Sequence, residues 1–268
     1  MTQQMRLLQR LDDIGLSLER TGQALALLGL GSVGAETGRI DEFSDLDFFV
    51  VVQPGAKRRF IGRLDWLEDV CPIAYHFQNC EIGHKLLFED GIYGEFAVFE
   101  PGELKDALYT GGRLVWKHPS FTQEGITAGS APIPPNRVSS IDHVYGEAVT
   151  NLYVGLGRYL RGEKLSAFKF IQGYPIDGLL SAMHLLETET EYYPDKFGNE
   201  RRLERRFPRF AQMLPNLLQG YERTPEAALQ LLALLDRIRP VHPSMRQEIR
   251  ALAERCIAER DRAQAPTD

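Results

Sequence analysis

The chain has 268 residues, 43% hydrophobic and 25% charged, with a formal net charge of −6 at pH 7. This composition is that of a folded globular protein, and the length suits one large domain or two of ordinary size. The acidic balance argues against a long nucleic-acid partner, which would need a basic face.

Neither a membrane nor an oxidising compartment is indicated. No apolar run reaches the roughly 18 residues of a membrane span, and the N-terminus lacks a signal-peptide pattern. The three cysteines are scattered without C-x-x-C spacing. Such cysteines are typical of free thiols in a reducing compartment, so we expect a cytoplasmic protein.

The first third of the chain alternates helical and strand patterns. Residues 5–20 show the apolar spacing of an amphipathic helix. The apolar runs Ala24–Leu30 and Leu46–Val52 predict strands, and Pro54-Gly55 closes the second. A further helix is predicted by the three- and four-residue spacing of Phe60, Leu64, Leu67 and Cys71.

Strands continue up to a connection rich in proline. Residues 72–78 and 84–100 predict further strands, with Asp90-Gly91 as the hairpin turn between the last two. From Ser120 to Asn136 the pattern lapses into glycine, serine, threonine and proline, which indicates a connection between domains.

Beyond this connection the apolar period is helical. One stripe runs from Ile141 to Tyr159 and another from Leu179 to Leu186, with Gly173 and Pro175 expected to break or kink the helix upstream. We therefore predict an α/β N-terminal domain, a mixed sheet with flanking helices, followed by an all-α helical-bundle domain. The expected ranges are 1–120, a linker at 121–137, and 138–268.

A glycine-rich hexamer follows the first predicted strand. Gly29–Gly34 reads G-x-G-x-x-G, but a dinucleotide site needs an acid at the C-terminal end of the second strand, where Gln53 stands. No G-K-[ST] follows, as a P-loop requires, and Asp41–Asp47 lacks the frame of a calcium loop. These three kinds of site are therefore disfavoured.

Two aspartates at the start of the second predicted strand offer another use for the glycines. Asp45 and Asp47 are two residues apart, so their side chains share a strand face roughly 6–7 Å apart. Two such carboxylates can bind one or two Mg²⁺ ions, which take further ligands from substrate phosphates. The amides and hydroxyl of Gly31-Ser32 could hold the triphosphate tail of a nucleotide.

A third carboxylate, Glu95, interrupts the apolar strand "YGEFAVF". A charge there is costly unless it is paired or binds a metal. As a general base, Glu95 could take the proton from an acceptor hydroxyl that attacks the α-phosphate. The alternative is that Glu95 pairs with a structural lysine or arginine.

This pattern resembles that of the DNA polymerase β nucleotidyltransferase superfamily: G-S, about a dozen residues, D-h-D at a strand start, and a later strand acid. Four segments also resemble, in the same order, lincosamide nucleotidyltransferases of the two-domain B type. They are "GSVGAETGRIDEFSDLDFFVV", "LLFEDGIYGEF", "PPNR" and "YLRGEKLSA", spanning about Gly31 to Ala167. The C-terminal third is similar only in being helical.

The resemblance implies an enzyme that transfers a nucleoside monophosphate from a Mg²⁺-bound NTP to a hydroxyl of a lincosamide. We expect AMP to be the group transferred, with ATP or another NTP as the co-substrate. Gly31 and Ser32 match the phosphate positions, Asp45 and Asp47 the metal positions, and Glu95 the base. Asp47 departs from the B-type pattern, which has glutamate there, although aspartate is usual across the superfamily. The resemblance also implies a homodimer in which the helical domain helps to form the acceptor site.

Several other residues have two interpretations each. Arg161 and Lys164 are predicted to contact the triphosphate, although cations also suit a helix end for its dipole. The basic cluster Arg201, Arg202, Arg205, Arg206 and Arg209 is expected to be a solvated or inter-subunit face. Tyr75, His76, Phe77 and Tyr93 either line a pocket or belong to the core.

Other functions stay open. The acceptor could be an aminoglycoside, another metabolite, or a protein side chain, as for antitoxin-type AMP transferases, which are typically short single domains. A non-enzymatic, nucleotide-binding regulatory protein is disfavoured because all three acids are present.

Overall fold

The computed structural model describes residues 2–129, 136–193, 195 and 197–264. The chain divides into two compact units, Met1–Ile133 and Pro134–Asp268. The first unit contains a mixed six-stranded sheet with helices, and the second is helical, so the predicted fold class is confirmed.

The N-terminal unit follows the predicted order of helix and strand and adds a sixth strand. Its helices and strands are α1 (Gln3–Thr21), β1 (Ala24–Leu30), β2 (Leu46–Val52), α2 (Lys57–Gly62), α3 (Asp65–Glu68), β3 (Ile73–Cys80), β4 (Gly83–Phe88), β5 (Tyr93–Phe99) and β6 (Gly112–Lys117). Single 3₁₀ segments lie at Gly31–Val33, Thr37–Arg39 and Pro101–Asp106. β1 and β2 have the predicted bounds.

The sheet has the strand order β3-β4-β5-β2-β1-β6. The β2–β5 pair is parallel, and the other four neighbouring pairs are antiparallel. β2 and β5 therefore start at the same edge of the sheet, which places their N-terminal residues side by side.

The main core lies on one face of this sheet. α1 buries Leu7, Leu11, Ile14 and Leu18, at helical spacing, against a cluster that includes side chains of α2, α3 and every other residue of β2. A smaller cluster, including Leu28, Val51, Phe99, Leu104, Tyr109 and Phe121, covers part of the opposite face. The rest of that opposite face, across β3, β4 and the start of β5, carries exposed side chains and is called the open face below.

Two local features differ from the sequence prediction. The single helix expected from Phe60 to Cys71 is two short helices, because Arg63 at the end of α2 adopts an extended conformation. β6, which the sequence did not predict, pairs antiparallel with β1.

The C-terminal unit is built from helices. They are α4 (Asp142–Leu160), α5 (Lys164–Phe168), α6 (Tyr174–Leu186), α7 (Leu203–Arg206), α8 (Pro208–Ala211), α9 (Leu214–Leu217), α10 (Thr224–Ile238) and α11 (Pro243–Gln264). Lys169–Gly173 is a π-helical turn, and Pro175 lies in the first turn of α6. The helix is thus interrupted upstream of α6, where Gly173 and Pro175 predict a break.

The division between the units falls within the predicted linker, of which residues 130–135 lie outside the described residues. Phe121 and Ile126, at the start of that linker, are buried in the smaller cluster of the N-terminal unit. Cys71, Cys80 and Cys256 are free thiols. Within the described ranges, every helix is too short or too polar to cross a membrane.

Candidate active site

The glycine loop is a single 3₁₀ turn at the end of β1. Gly31 has a φ of +52°, a conformation that L side chains rarely adopt. Its carbonyl accepts hydrogen bonds from the amides of Gly34 and Glu36, both at 3.1 Å. Gly31 is partly exposed, whereas Ser32 is only 5% exposed. A ligand approaching this loop would therefore meet the Gly31 backbone before the Ser32 side chain.

Gly29 and Gly34 allow the backbone to fold back on itself. A Cβ on Gly34 would lie 2.5 Å from the Gly29 carbonyl oxygen, and one on Gly29 would lie 2.7 Å from the Val33 oxygen. The strand that follows this loop, β2, is antiparallel to β1. A dinucleotide loop instead joins parallel strands through a helix, so the structure excludes that interpretation of the hexamer.

Asp45 immediately precedes β2, and Asp47 is the second residue of that strand, so the shared strand face expected for the two side chains stays a prediction. Leu46 and Phe48 are buried in the main core, so Asp47 between them projects from the opposite face. Asp45 and Asp47 are both partly exposed. A Cβ on Gly31 would lie 3.7 Å from Asp47 Oδ2, so the glycine loop and this carboxylate are neighbours.

Glu95 lies directly beside Asp47. The two residues are register partners in the parallel β2–β5 pair, so their side chains share a face of the sheet. The structure thus brings together Gly31, Asp47 and Glu95, which lie far apart in the sequence.

Glu95 has two polar partners. Lys85 Nζ lies 3.3 Å from Glu95 Oε2, and Asn79 Nδ2 donates a hydrogen bond of 2.8 Å to Glu95 Oε1. The hydrogen bond and charge of Glu95 raise the pKa of Lys85, and the nearby carboxylate of Asp47 acts in the same direction. The lysine pairing considered as an alternative is therefore present. Both side chains are partly exposed, so either can exchange its partner for water or a ligand.

Two arginines at the glycine loop are absent from the sequence prediction. A Cβ on Gly31 would lie 3.2 Å from Arg39 Nη2, and Arg39 forms an ion pair with Glu36. On the neighbouring strand, Arg113 Nε donates a hydrogen bond of 3.2 Å to the Val33 carbonyl. The position of Arg39 between the glycines and Asp45 was a usable signal, whereas Arg113 belongs to the strand that the sequence did not predict.

Arg161 and Lys164 lie in the C-terminal unit. Arg161 is the exposed C-terminal cap of α4, where a cation interacts favourably with the helix dipole. Lys164 is the first residue of α5, an end whose dipole disfavours a cation, so the helix-dipole interpretation is wrong for Lys164. Its Nζ lies 5.4 Å from the centroid of the Tyr159 ring. Their contact with a triphosphate stays a prediction.

The donor set at Asp45 and Asp47 suits Mg²⁺ rather than a metal that needs an all-protein cage. No group of three or more His, Cys, Asp or Glu side chains in the described parts of the chain could hold a metal. Mg²⁺ is commonly bound by one or two carboxylates, with waters and substrate phosphates completing its shell. Two neighbouring aspartates beside a glycine loop fit that requirement.

Other predicted residues lie in different surroundings. Tyr75, Phe77 and Tyr93 are exposed, so they are not core residues. In the basic cluster, Arg206 is only 2% exposed and pairs with Glu189 at 2.7 Å. The expectation of a solvated face is therefore wrong for Arg206, because its charge is needed to neutralise a partly buried carboxylate.

A shallow groove of about 460 Å³ beside β6 is lined by none of the predicted site residues.

Comparison with known proteins identifies no family for this chain. No family model matches it, and no curated protein does. Among solved structures, an aminoglycoside 6-adenyltransferase from Bacillus subtilis aligns over 93% of this chain and 98% of its own, with 15% identity and a TM-score of 0.33. So low a TM-score does not establish a shared fold.

Proposed function

We propose that this protein is a Mg²⁺-dependent nucleotidyltransferase, which transfers AMP from ATP to a hydroxyl of a small molecule and releases pyrophosphate. The observation that carries the proposal is that Asp47 and Glu95 are cross-strand neighbours on one sheet face, next to Gly31. Such a site combines ligands for a metal, a base for a hydroxyl, and a backbone turn for phosphates.

The metal-binding residues in this proposal are Asp45 and Asp47. Mg²⁺, when bound, would neutralise charge on the triphosphate and polarise the α-phosphate for attack. The backbone of Gly31 and Ser32 would hold the phosphates, because a glycine with positive φ lets them approach closely. Arg39 lies beside this turn and offers a positive charge to the same anion.

Glu95 is the proposed general base. It would accept the proton of the acceptor hydroxyl as the oxygen attacks the α-phosphate. Asn79 and Lys85 contact its two oxygens and would orient the carboxylate until the acceptor hydroxyl replaces one of them.

For the acceptor we propose a lincosamide such as lincomycin or clindamycin. The support is the four sequence segments between Gly31 and Ala167 that resemble lincosamide nucleotidyltransferases in the same order. The same resemblance supports a homodimer, triphosphate contacts from Arg161 and Lys164, and a helical unit that contributes to acceptor binding. A cytoplasmic location is supported by the free thiols.

The test is pyrophosphate release from MgATP in the presence of lincomycin, clindamycin or a panel of aminoglycosides, with Asp45→Ala as the blank. We expect release with the lincosamides and none from the variant. Release with an aminoglycoside alone would keep the chemistry and change the acceptor class. A wild-type protein that neither binds MgATP nor releases pyrophosphate would refute the proposed function.

A further inference from the structure

Four large apolar side chains lie exposed on the open face. They are Tyr75, Phe77, Leu87 and Tyr93, with exposed fractions of 60%, 45%, 36% and 39%. The rings of Tyr75 and Phe77 are 6.2 Å apart between centroids, so they form one surface. Contiguous exposed apolar groups of this kind mark binding surfaces more often than single exposed residues do.

Strand register places this surface next to the candidate active site. Tyr75, Leu87 and Tyr93 form one row across β3, β4 and β5. The adjacent row on the same face consists of Phe77, Lys85 and Glu95, and it continues to Asp47 on β2. The two rows are two residues apart along β4 and along β5, so they lie roughly 7 Å from each other.

The size of the surface suits a small molecule. Three strands at the usual spacing span roughly 10 Å, and two rows of side chains span roughly 7 Å along them. A stable protein interface draws roughly 20–30 residues from each partner, far more than these four. One ring system with its substituents would cover the four side chains.

The surroundings of the surface are polar on the side that faces the site. Glu95, Lys85 and Asn79 lie at this border and provide a carboxylate, an ammonium and an amide. A ligand that uses both parts must have an apolar face and, at one end, a hydroxyl that reaches Glu95.

We infer that Tyr75, Phe77, Leu87 and Tyr93 form the platform on which the acceptor lies, and that they select amphiphilic acceptors over uniformly polar ones. This inference rests on the proposed function, since it places the acceptor hydroxyl at Glu95. It makes these four side chains determinants of acceptor specificity that take no part in nucleotide binding.

The experiment measures clindamycin binding by equilibrium dialysis, and MgATP binding separately, for the wild type, the double variant Tyr75→Ala/Phe77→Ala, and Phe77→Leu. Leu16→Ala is the matched control, because Leu16 is a large exposed apolar residue on α1. We expect the double variant to lose about tenfold in clindamycin affinity through lost apolar contact, with MgATP affinity unchanged. Phe77→Leu and Leu16→Ala should retain most of the clindamycin affinity.

The inference is overturned if the wild type does not bind clindamycin, or if the double variant binds it as tightly as the wild type does. It is also overturned if the double variant changes the oligomeric state in sedimentation, since the surface would then be an interface between copies. Clindamycin binding that depends on the platform, without MgATP binding or pyrophosphate release, would refute the proposed function and leave the binding surface in place.

Discussion

Asp47 and Glu95 are neighbouring carboxylates on one face of the sheet, but we predict different roles for them because their surroundings differ. Both lie on the open side of the sheet, but Asp47 borders the glycine loop whereas Glu95 borders Lys85 and Asn79. Loss of the Asp47 charge should therefore impair metal binding, whereas loss of the Glu95 charge should impair proton removal from the acceptor.

Replacement of Asp47 by asparagine should remove nearly all transfer, because it deletes a proposed metal ligand and no core contact. The thermal midpoint should stay close to that of the wild type, as it should for the exposed control Asp69→Asn. The measurements are pyrophosphate release and thermal unfolding of the three proteins. Turnover at the wild-type level in Asp47→Asn would disprove the metal assignment.

Replacement of Glu95 by glutamine should lower kcat by a factor on the order of 10²–10⁴, the range expected for a lost general base. The KM for MgATP should change little, because the proposed role concerns the acceptor proton. Steady-state kinetics with both substrates test this, with the exposed Glu68→Gln as the control. If MgATP affinity falls as much as turnover does, Glu95 is a metal ligand instead.

At the scale of elements, an ion-pair cluster ties α1 to the β4–β5 turn. Arg10 Nη2 lies 2.7 Å and Arg6 Nη2 3.2 Å from Asp90 Oδ2. Burial on its own raises the pKa of Asp90, but the charge of Arg10 and hydrogen bonds from Arg10, Ile92 and Arg6 outweigh it. The pKa of Asp90 is therefore lower in the folded protein than its ordinary value.

This shift predicts a pH dependence of stability. A carboxyl with a lowered folded pKa stabilises the fold fully above its unfolded pKa, near 3.9, and progressively less as pH falls through the folded value. The free energy of unfolding should thus drop on going from pH 7 to pH 3, and it should drop less in Asp90→Asn. Urea unfolding at the two pH values tests this, with Asp12→Asn, exposed on the same helix, as the control. An equal drop in all three proteins would mean that Asp90 is not responsible.

At the scale of the whole molecule, the proposed site residues are divided between two compact units. Gly31, Asp47 and Glu95 belong to the first, and Arg161 and Lys164 belong to the second. A kinetic effect of Arg161 and Lys164 on the reaction would therefore show that both units serve it.

The double variant Arg161→Ala/Lys164→Ala should raise the KM for MgATP if these cations bind the triphosphate. Arg250→Ala/Arg262→Ala is the matched control, because it removes the same charge from exposed positions of the same unit. An unchanged KM, with a lowered thermal midpoint, would instead give Arg161 a structural role at the C-terminal end of α4, where a cation favours the helix dipole.

The sequence by itself determined the strands β1, β2 and β5 and the carboxylates of the candidate site, but neither β6 nor the arginines Arg39 and Arg113. Apolar runs predict β1 and β2 with their observed bounds, because a strand buried on both faces is apolar over most of its length. The aspartates at the start of β2 and the carboxylate inside β5 stand out for the same reason, since a charge in an apolar strand needs a compensating partner.

Only the tertiary structure decided which of these residues meet. The parallel pairing of β2 with β5 puts Asp47 beside Glu95, and the β4–β5 register places Lys85 opposite Glu95. The tertiary structure also leaves Tyr75 and Phe77 exposed, although their alternation in the sequence fits a core strand equally well. Strand order and register depend on which distant apolar faces pack together, and that long-range choice leaves no local pattern in the sequence.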